Sequence, residues 1–583
     1  MAEGFKCAVE ERFRSACKDL SRYQNTQYCV LHYPEPDKDE EHFLNVKNDK
    51  LGNNHDYDFG GAVFPEGTSD FRRRTFFADV TFAGATFHGK AAFSKAIFSG
   101  EANFREATFK GEADFYKAEF KETGKEEAKE ALEASKEALK NAREKEGRNA
   151  KGEAEEAKEA KEAAEQATRA KKAVEEAEHK VSKKRDADFV DAVFEEEGNY
   201  EKAIFSGEAY FRRASFRGEA DFSKAEFIGE ARFREATFKE KGDFAEANFA
   251  KEAGFRNATF EKEASFTKTI FKQEAKFRRT VFQGFVEFKG PSKFKGPSNE
   301  DRCETHTFNK RANFSAAKFE ERAVFVGQCT FDTKQDEATF RNTLIEKPEN
   351  FSFDRVWLRP SWFIDTNVQQ FRFTNVRWRG LPGGPPGRIE EEIEAIKNRR
   401  ERKEEVEEED EEEEKEDIQI GYPPDVLAKT CRELSANAEE NRDYPTANEF
   451  HYWSMELLRK ESWWKRLGLI GSLYWALSGY GERPRRAFGV LVGMWAFFAL
   501  CYMLTGHQDL QVAVQAFSGA DIRQGIEHAW KALVYSLAAI ARLNPEPKPS
   551  APGVFQLLVT AEGLLGPLQI ALLALAIRRK VMR

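Results

Sequence analysis

The 583-residue chain is poor in the side chains that build most active sites, with nine His, seven Cys and five Met. Seven Cys over this length do not make a disulfide framework. The scattered His form no nucleophile–base pair, and neither a phosphate-cradling loop nor a catalytic metal spacing is present in the sequence, so an enzyme is not expected. The residues after Met1 are charged and contain no apolar h-region, which predicts no secretory signal and a cytoplasmic soluble body. An excess of charge of one sign is also lacking. The net charge is −9 although a third of the residues (33%) are charged, which excludes a strongly basic nucleic-acid binder and a very acidic decoy.

What the chain has in excess is phenylalanine, 53 of them, and their spacing is regular. Steps of five and six residues alternate through Phe82, Phe87, Phe93, Phe98, Phe104, Phe109, Phe115 and Phe120. The series resumes at Phe189, Phe194, Tyr200, Phe205, Phe211 and Phe216 and runs on to Phe282 and Phe288. Ala stands two places earlier in most units, as in Ala113–Phe115, Ala118–Phe120 and Ala231–Phe233. The repeating unit is eleven residues, close to GEADFxxAxFx. One unit buries almost nothing, whereas stacked copies bury a continuous apolar column, the logic of a solenoid. An apolar pair every five or six residues is too short for a helix, so the expectation is a β-helix with short sides. Ala and Phe, two apart, point inward and the residue between them points out.

These units resemble the pentapeptide-repeat proteins, here of a phenylalanine-centred kind, over about residues 59–380. The resemblance implies a mainly β fold, a right-handed quadrilateral β-helix. The extra residue in every second unit implies wider corners or bulges on alternate sides. The rhythm is interrupted at Gly290, Pro291, Gly296 and Pro297. It returns at Phe314, Phe319, Phe325 and Phe331 and loosens around Trp357, Trp362 and Trp378. Outward positions mix both charge signs, which reads as a solvated face.

Other segments flank or interrupt the repeats. In residues 1–58, Cys7, Cys17, Cys29 and His32 offer three thiolates and an imidazole, a donor set that fits a structural zinc ion stapling a small flap; scattered reduced thiols are the alternative. Similar Cys and Cys-x-x-His elements precede the repeats in proteins of the resembled family. Residues 121–186 form an Ala/Glu/Lys tract expected to be an inserted antiparallel helical hairpin, because the units before and after it match in phase. Residues 381–422 are a Pro/Gly and acidic linker. Residues 423–470 read as a helical pair split at Asp443-Tyr444-Pro445, followed by an interfacial segment with Trp463 and Trp464.

The last part, residues 471–583, is apolar. Ala487–Leu504 carries no charge, and Gly553–Ile577 carries only Glu562. Arg483, Arg485 and Arg486 precede the first stretch, and Arg578, Arg579, Lys580 and Arg583 follow the second. Two spans with both termini cytoplasmic, in an inner or plasma membrane, are therefore expected. Between them lies a short apolar helix, Ala529–Ala541. The arrangement resembles the two-transmembrane module of potassium-channel-like proteins, which implies a homo-oligomer with a re-entrant pore helix. A Thr-Val-Gly-Tyr-Gly filter is missing, since the corresponding position reads Ala-Arg-Leu-Asn-Pro. Gly479-Tyr480-Gly481 lies ahead of the first span and reads as a turn. Glu562, Arg542 and Asn544 are the pore candidates. In an oligomer Glu562 faces a water-filled axis or pairs with Arg542; otherwise it snorkels to the interface one or two turns away or bonds to a neighbouring helix. Nearby Gly563, Gly566 and Pro567 predict close helix packing or a kink.

Three functions follow. One is a membrane-anchored scaffold whose oligomeric C-terminal module conducts ions. The second is a non-conducting, membrane-tethered scaffold that binds an unidentified protein partner. The third, a DNA-mimicking binder of type II topoisomerase, is disfavoured by the mixed-sign surface and the membrane tail, and no nucleic acid is expected as a ligand.

Overall fold

The computed structural model describes residues 6–17, 20–52, 56–121, 187–291, 294–295, 301–302, 306–331, 338–381, 388–401, 423–461, 467–505, 522–543 and 553–581. The inserted Ala/Glu/Lys tract, most of the Pro/Gly run, the acidic run, Trp463, Trp464 and Asn544 lie outside these residues. The chain divides into two compact units, Met1–Thr366 with Gln370–Pro386, and Asn367–Gln369 with Gly387–Arg583.

The first unit is a parallel β-solenoid of about ten turns. Its strands are two to four residues long and stack into four main ladders of ten, seven, nine and ten strands. Each residue pairs with its counterpart one coil away, as Phe194 with Phe216 and Phe216 with Phe238. Side chains one coil apart are 22 residues apart in sequence, two of the eleven-residue units. The register also holds across the insertion, because Phe109 pairs with Phe194 and Phe120 with Phe205. The ladder register is therefore the same on both sides of residues 122–186.

Two kinds of corner alternate, which explains the alternating steps. On the five-residue step the Ala118 N–H donates to the Phe115 carbonyl at 2.9 Å, and Lys117 sits at φ +54°. This is the pattern of a type II turn. It recurs every eleven residues at Asp191, Lys202, Arg213 and Lys224. The six-residue step makes an open corner instead of a strand bulge. Where glycine stands there, the stack requires it: a Cβ on Gly229 would lie 2.1 Å from the Gly207 carbonyl oxygen.

The outward residue between Ala and Phe does more than face solvent. Asn103, Asp114, Asn199, Asp221 and Asp243 each accept, through Oδ1, the backbone N–H two residues ahead, at 2.8–3.0 Å. Each is an Asx turn that holds the chain as it enters the type II corner. Farther out, charges pair between coils, as Arg213 with Asp191 at 2.6 Å and Lys268 with Glu246 at 2.9 Å. Such exposed pairs contribute about 0–1 kcal/mol each.

The interior is an aromatic lattice. Rings stack along the axis at strand spacing, with Phe104 and Phe189 4.8 Å apart and parallel (0°). Across the lumen they meet edge to face, as Phe104 with Phe115 at 5.4 Å and 89°. Tyr200 takes one lattice position and stacks between Phe115 and Phe222 at 4.9 and 4.6 Å. It is fully buried, and its hydroxyl has no hydrogen-bond partner among the described residues. Burial alone pushes that phenol well above its usual range. A buried unpaired hydroxyl costs about 1–3 kcal/mol. Tyr200→Phe is therefore expected to raise the stability of the full chain by about 1–3 kcal/mol, and Phe233→Tyr to lower it, both measured by denaturant unfolding.

Helix α1 (Glu40–Gly52) and a 3-10 turn, Glu11–Cys17, belong to the N-terminal end of this unit. The second unit is helical. Its elements are α2 (Ile389–Glu401), α3 (Pro423–Glu440), α4 (Tyr444–Glu461), α5 (Leu467–Ser478), α6 (Pro484–Thr505), α7 (Ile522–Ile540) and α8 (Val554–Val581). Helix α7 begins earlier than its apolar run predicts, because Ile522–His528 adds mixed polar residues that still favour helix. Gly479, Tyr480 and Gly481 all have positive φ and make the turn between α5 and α6.

Candidate functional site

The Cys/His residues converge at the start of the solenoid. The 3-10 turn carrying Cys17 is held by Phe13, which lies over the first coil. A Cβ on Gly61 (φ +68°) would come within 2.8 Å of its ring, and one on Gly84 (φ +65°) within 2.5 Å. Arg12 anchors the same turn through a 2.7 Å bond to Glu106. The loop carrying Cys29 and His32 joins the first rung, since the Val63 N–H donates to the Leu31 carbonyl at 2.8 Å. Segments far apart in sequence are thereby brought to one point.

Ligand atoms of Cys7, Cys17, Cys29 and His32 all lie within 4.8 Å of one another. Cys7 Sγ is 3.9 Å from Cys29 Sγ and 3.8 Å from His32 Nδ1, and Cys29 Sγ is 3.1 Å from that nitrogen. Tetrahedral coordination with ordinary zinc bond lengths needs edges of about 3.8 Å between sulfurs and about 3.5 Å between sulfur and nitrogen. The surroundings match as well. His32 Nε2 lies 2.8 Å from the Gly60 carbonyl oxygen, which leaves Nδ1 as the free donor once Nε2 carries the proton. The Cys29 N–H donates to Cys7 Sγ at 3.3 Å, an interaction that stabilises a thiolate. Burial lowers His32, keeping its imidazole neutral, and raises Cys29 to about 12 without a cation to hold its sulfur as thiolate. The cluster can hold a divalent metal with one nitrogen and three sulfur ligands.

Lys38 lies beside this loop and is 3% exposed. Its ammonium donates to the carbonyls of Val30, Leu31 and Tyr33 at 2.7, 3.0 and 3.3 Å. Burial lowers it to about 7, and Cys29 opposes that shift.

In the helical unit, α6 and α8 are long and apolar enough to cross a membrane. Glu562 is fully buried where α6, α7 and α8 meet. It accepts from the Tyr502 hydroxyl at 2.6 Å and from the Ser536 hydroxyl. An aromatic cluster of Phe498, Tyr502 and Tyr535 packs alongside. Arg542 donates to the Gly563 carbonyl at 3.1 Å from an exposed position. Asn544 lies outside the described residues. Gly566 does sit at a close approach, where a Cβ would meet Ile540 at 3.0 Å, whereas Gly563 faces open space. Gln569 lies seven residues after Glu562, on the same helix face, and the sequence alone assigns it no role. Its amide donates to the carbonyls of Leu477 and Ala487 at 2.9 and 2.8 Å, tying α8 to the α5 and α6 segments. The spacing of Glu562 and Gln569 within an apolar helix was the available signal.

A family model described as pentapeptide repeats (9 copies) matches residues 82–124, 200–247 and 244–290. The solenoid core of this chain thus carries pentapeptide repeats. No curated protein and no solved structure matches the chain.

The full chain, purified without chelator, is expected to carry one divalent metal per chain by elemental analysis. Cys29→Ser should lose most of it. A metal content unaffected by that substitution would show that the ion binds elsewhere.

Proposed function

We propose that the protein is a membrane-anchored pentapeptide-repeat scaffold. Its cytoplasmic β-solenoid presents a docking surface to a protein partner, and α6 and α8 fix it to the bilayer. The four ladders support a quadrilateral cross-section for the rod, and the family resemblance supports right-handed winding. Zinc at Cys7, Cys17, Cys29 and His32 closes the N-terminal end, where an uncovered rung would otherwise invite edge pairing.

The observation that carries the membrane reading is the direction of the side chains. Phe488, Phe497, Leu500 and Leu504 on α6, and Leu557, Leu564 and Leu568 on α8, point outward. The polar groups Glu562 and Gln569 point inward and are hydrogen-bonded. A water-soluble bundle has the opposite arrangement. Arg579 bonds to the Tyr480 carbonyl at 3.1 Å and to Glu482 at 2.8 Å, so the end of α8 meets the start of α6. The basic residues flanking both helices therefore share one end of the bundle, which the positive-inside rule assigns to the cytoplasm.

Both Glu562 oxygens are occupied by hydroxyls of the same chain, which favours the anchor over a conducting pore. Liposomes containing the full chain are expected to retain it through alkaline carbonate extraction and to show no cation flux above empty vesicles. Flux that changes with Glu562→Gln would replace the anchor reading with a conducting oligomer. Release by carbonate would remove the membrane assignment itself.

A further inference from the structure

The charge of the Cys/His cluster leads one step further. Lys38 is a buried ammonium, and among the described residues no carboxylate pairs with it. Its three protons go to three carbonyls of the Val30–Tyr33 segment, and the Phe43 ring lies 4.8 Å away. Carbonyl dipoles and a ring face offset only part of the cost of burying a full charge when no counter-ion is present. The carbonyls it holds flank His32 and follow directly on Cys29, so the ammonium is fixed against the loop that bears two of the four ligands.

A divalent ion with three thiolates and one neutral imidazole carries one net negative charge. We propose that Lys38 is the built-in counter-ion of an anionic zinc–Cys3His centre, and that it sets the affinity and the three-thiolate state of that centre without touching the metal. The inference rests on the metal reading of the cluster. It explains two costly features at once, because an uncompensated ammonium and an uncompensated anionic centre neutralise each other inside the same cap. It also assigns a positioning role: the three bonds from Lys38 shape the turn from Cys29 to Tyr33, and with it the Cys29–His32 spacing. Lys47, another buried ammonium of the first unit, donates to the Thr68 carbonyl at 2.6 Å and to none of the carbonyls of the ligand loop, so it serves as the control.

The test uses the full chain with zinc or cobalt(II) as the probe. Zinc affinity is measured by chelator competition, and the number of thiolate ligands by the sulfur-to-cobalt charge-transfer band. Lys38→Gln, which keeps hydrogen-bond donors but removes the charge, is expected to weaken zinc binding about 10- to 100-fold, the range found for outer-shell partners. Its charge-transfer band should fall as well. Lys38→Arg should retain most of the affinity, and Lys47→Gln should leave it unchanged. Equal affinity in Lys38→Gln and the parent chain overturns the proposal, as does equal weakening by Lys47→Gln. Loss of binding in both Lys38 variants assigns the residue to packing and also overturns it. If the parent chain binds neither metal, the metal reading itself fails, a result distinguishable from all of these.

Discussion

The spacing of a parallel β-ladder is the constraint on which the rest of the solenoid depends. Strands one coil apart must sit about 4.8 Å from each other, so identical side chains at equivalent positions are forced into columns at that distance. For aromatic rings a parallel column is not the preferred pairing, since ring quadrupoles favour offset or edge-to-face contacts. The lattice resolves this by setting each column edge-on to its neighbour, as Phe211 is to Phe222 at 5.3 Å and 86°. Backbone pairing dictates the axial contact, and the lateral contact recovers the favourable geometry.

The same constraint governs the corners. Coils can superpose only if every turn repeats, which is why residues with side chains are held in the left-handed region along whole columns. Each carries a local backbone cost of roughly 1 kcal/mol. The Asx bond from Asp or Asn ahead of the turn and the burial of the following Phe offset it. Full burial of one such ring is worth about 1.5–3 kcal/mol, so the interior outweighs the corners. That balance produces a regular rod with a variable, charged exterior, which suits a scaffold.

A solenoid built this way leaves its first rung open, and the N-terminal segment deals with that through polar chemistry. Phe13 covers the glycine-lined first corner, the Leu31 carbonyl completes the ladder, and His32 bonds to Gly60. The metal-binding geometry and the cap are one construction: the contacts that seat the loop on the coil also bring the sulfurs together. In the helical unit the logic is inverted. Apolar side chains face outward, and a few polar ones, Glu562 with Tyr502 and Ser536, and Gln569 with two carbonyls, fasten the helices from within.

The sequence by itself determined the solenoid, because Phe and Ala at fixed steps can all be buried only by coils of one length. It also marked the in-phase insertion and the two apolar helices, since these depend on local periodicity and run length. Cys7, Cys17, Cys29 and His32 were visible as residue types with metal chemistry, but their loose spacing said nothing of distance. Only the tertiary structure brought four ligand atoms within 4.8 Å, by docking two separate segments on the first coil. It alone revealed Lys38, whose relevance depends on burial beside that loop and on the lack of a carboxylate partner among the described residues. The roles of the outward Asp and Asn, and the partners of Glu562, were likewise decided in three dimensions. A hydrogen bond depends on where a side chain points relative to a strand, turn or helix distant in sequence, and residue spacing does not encode that direction.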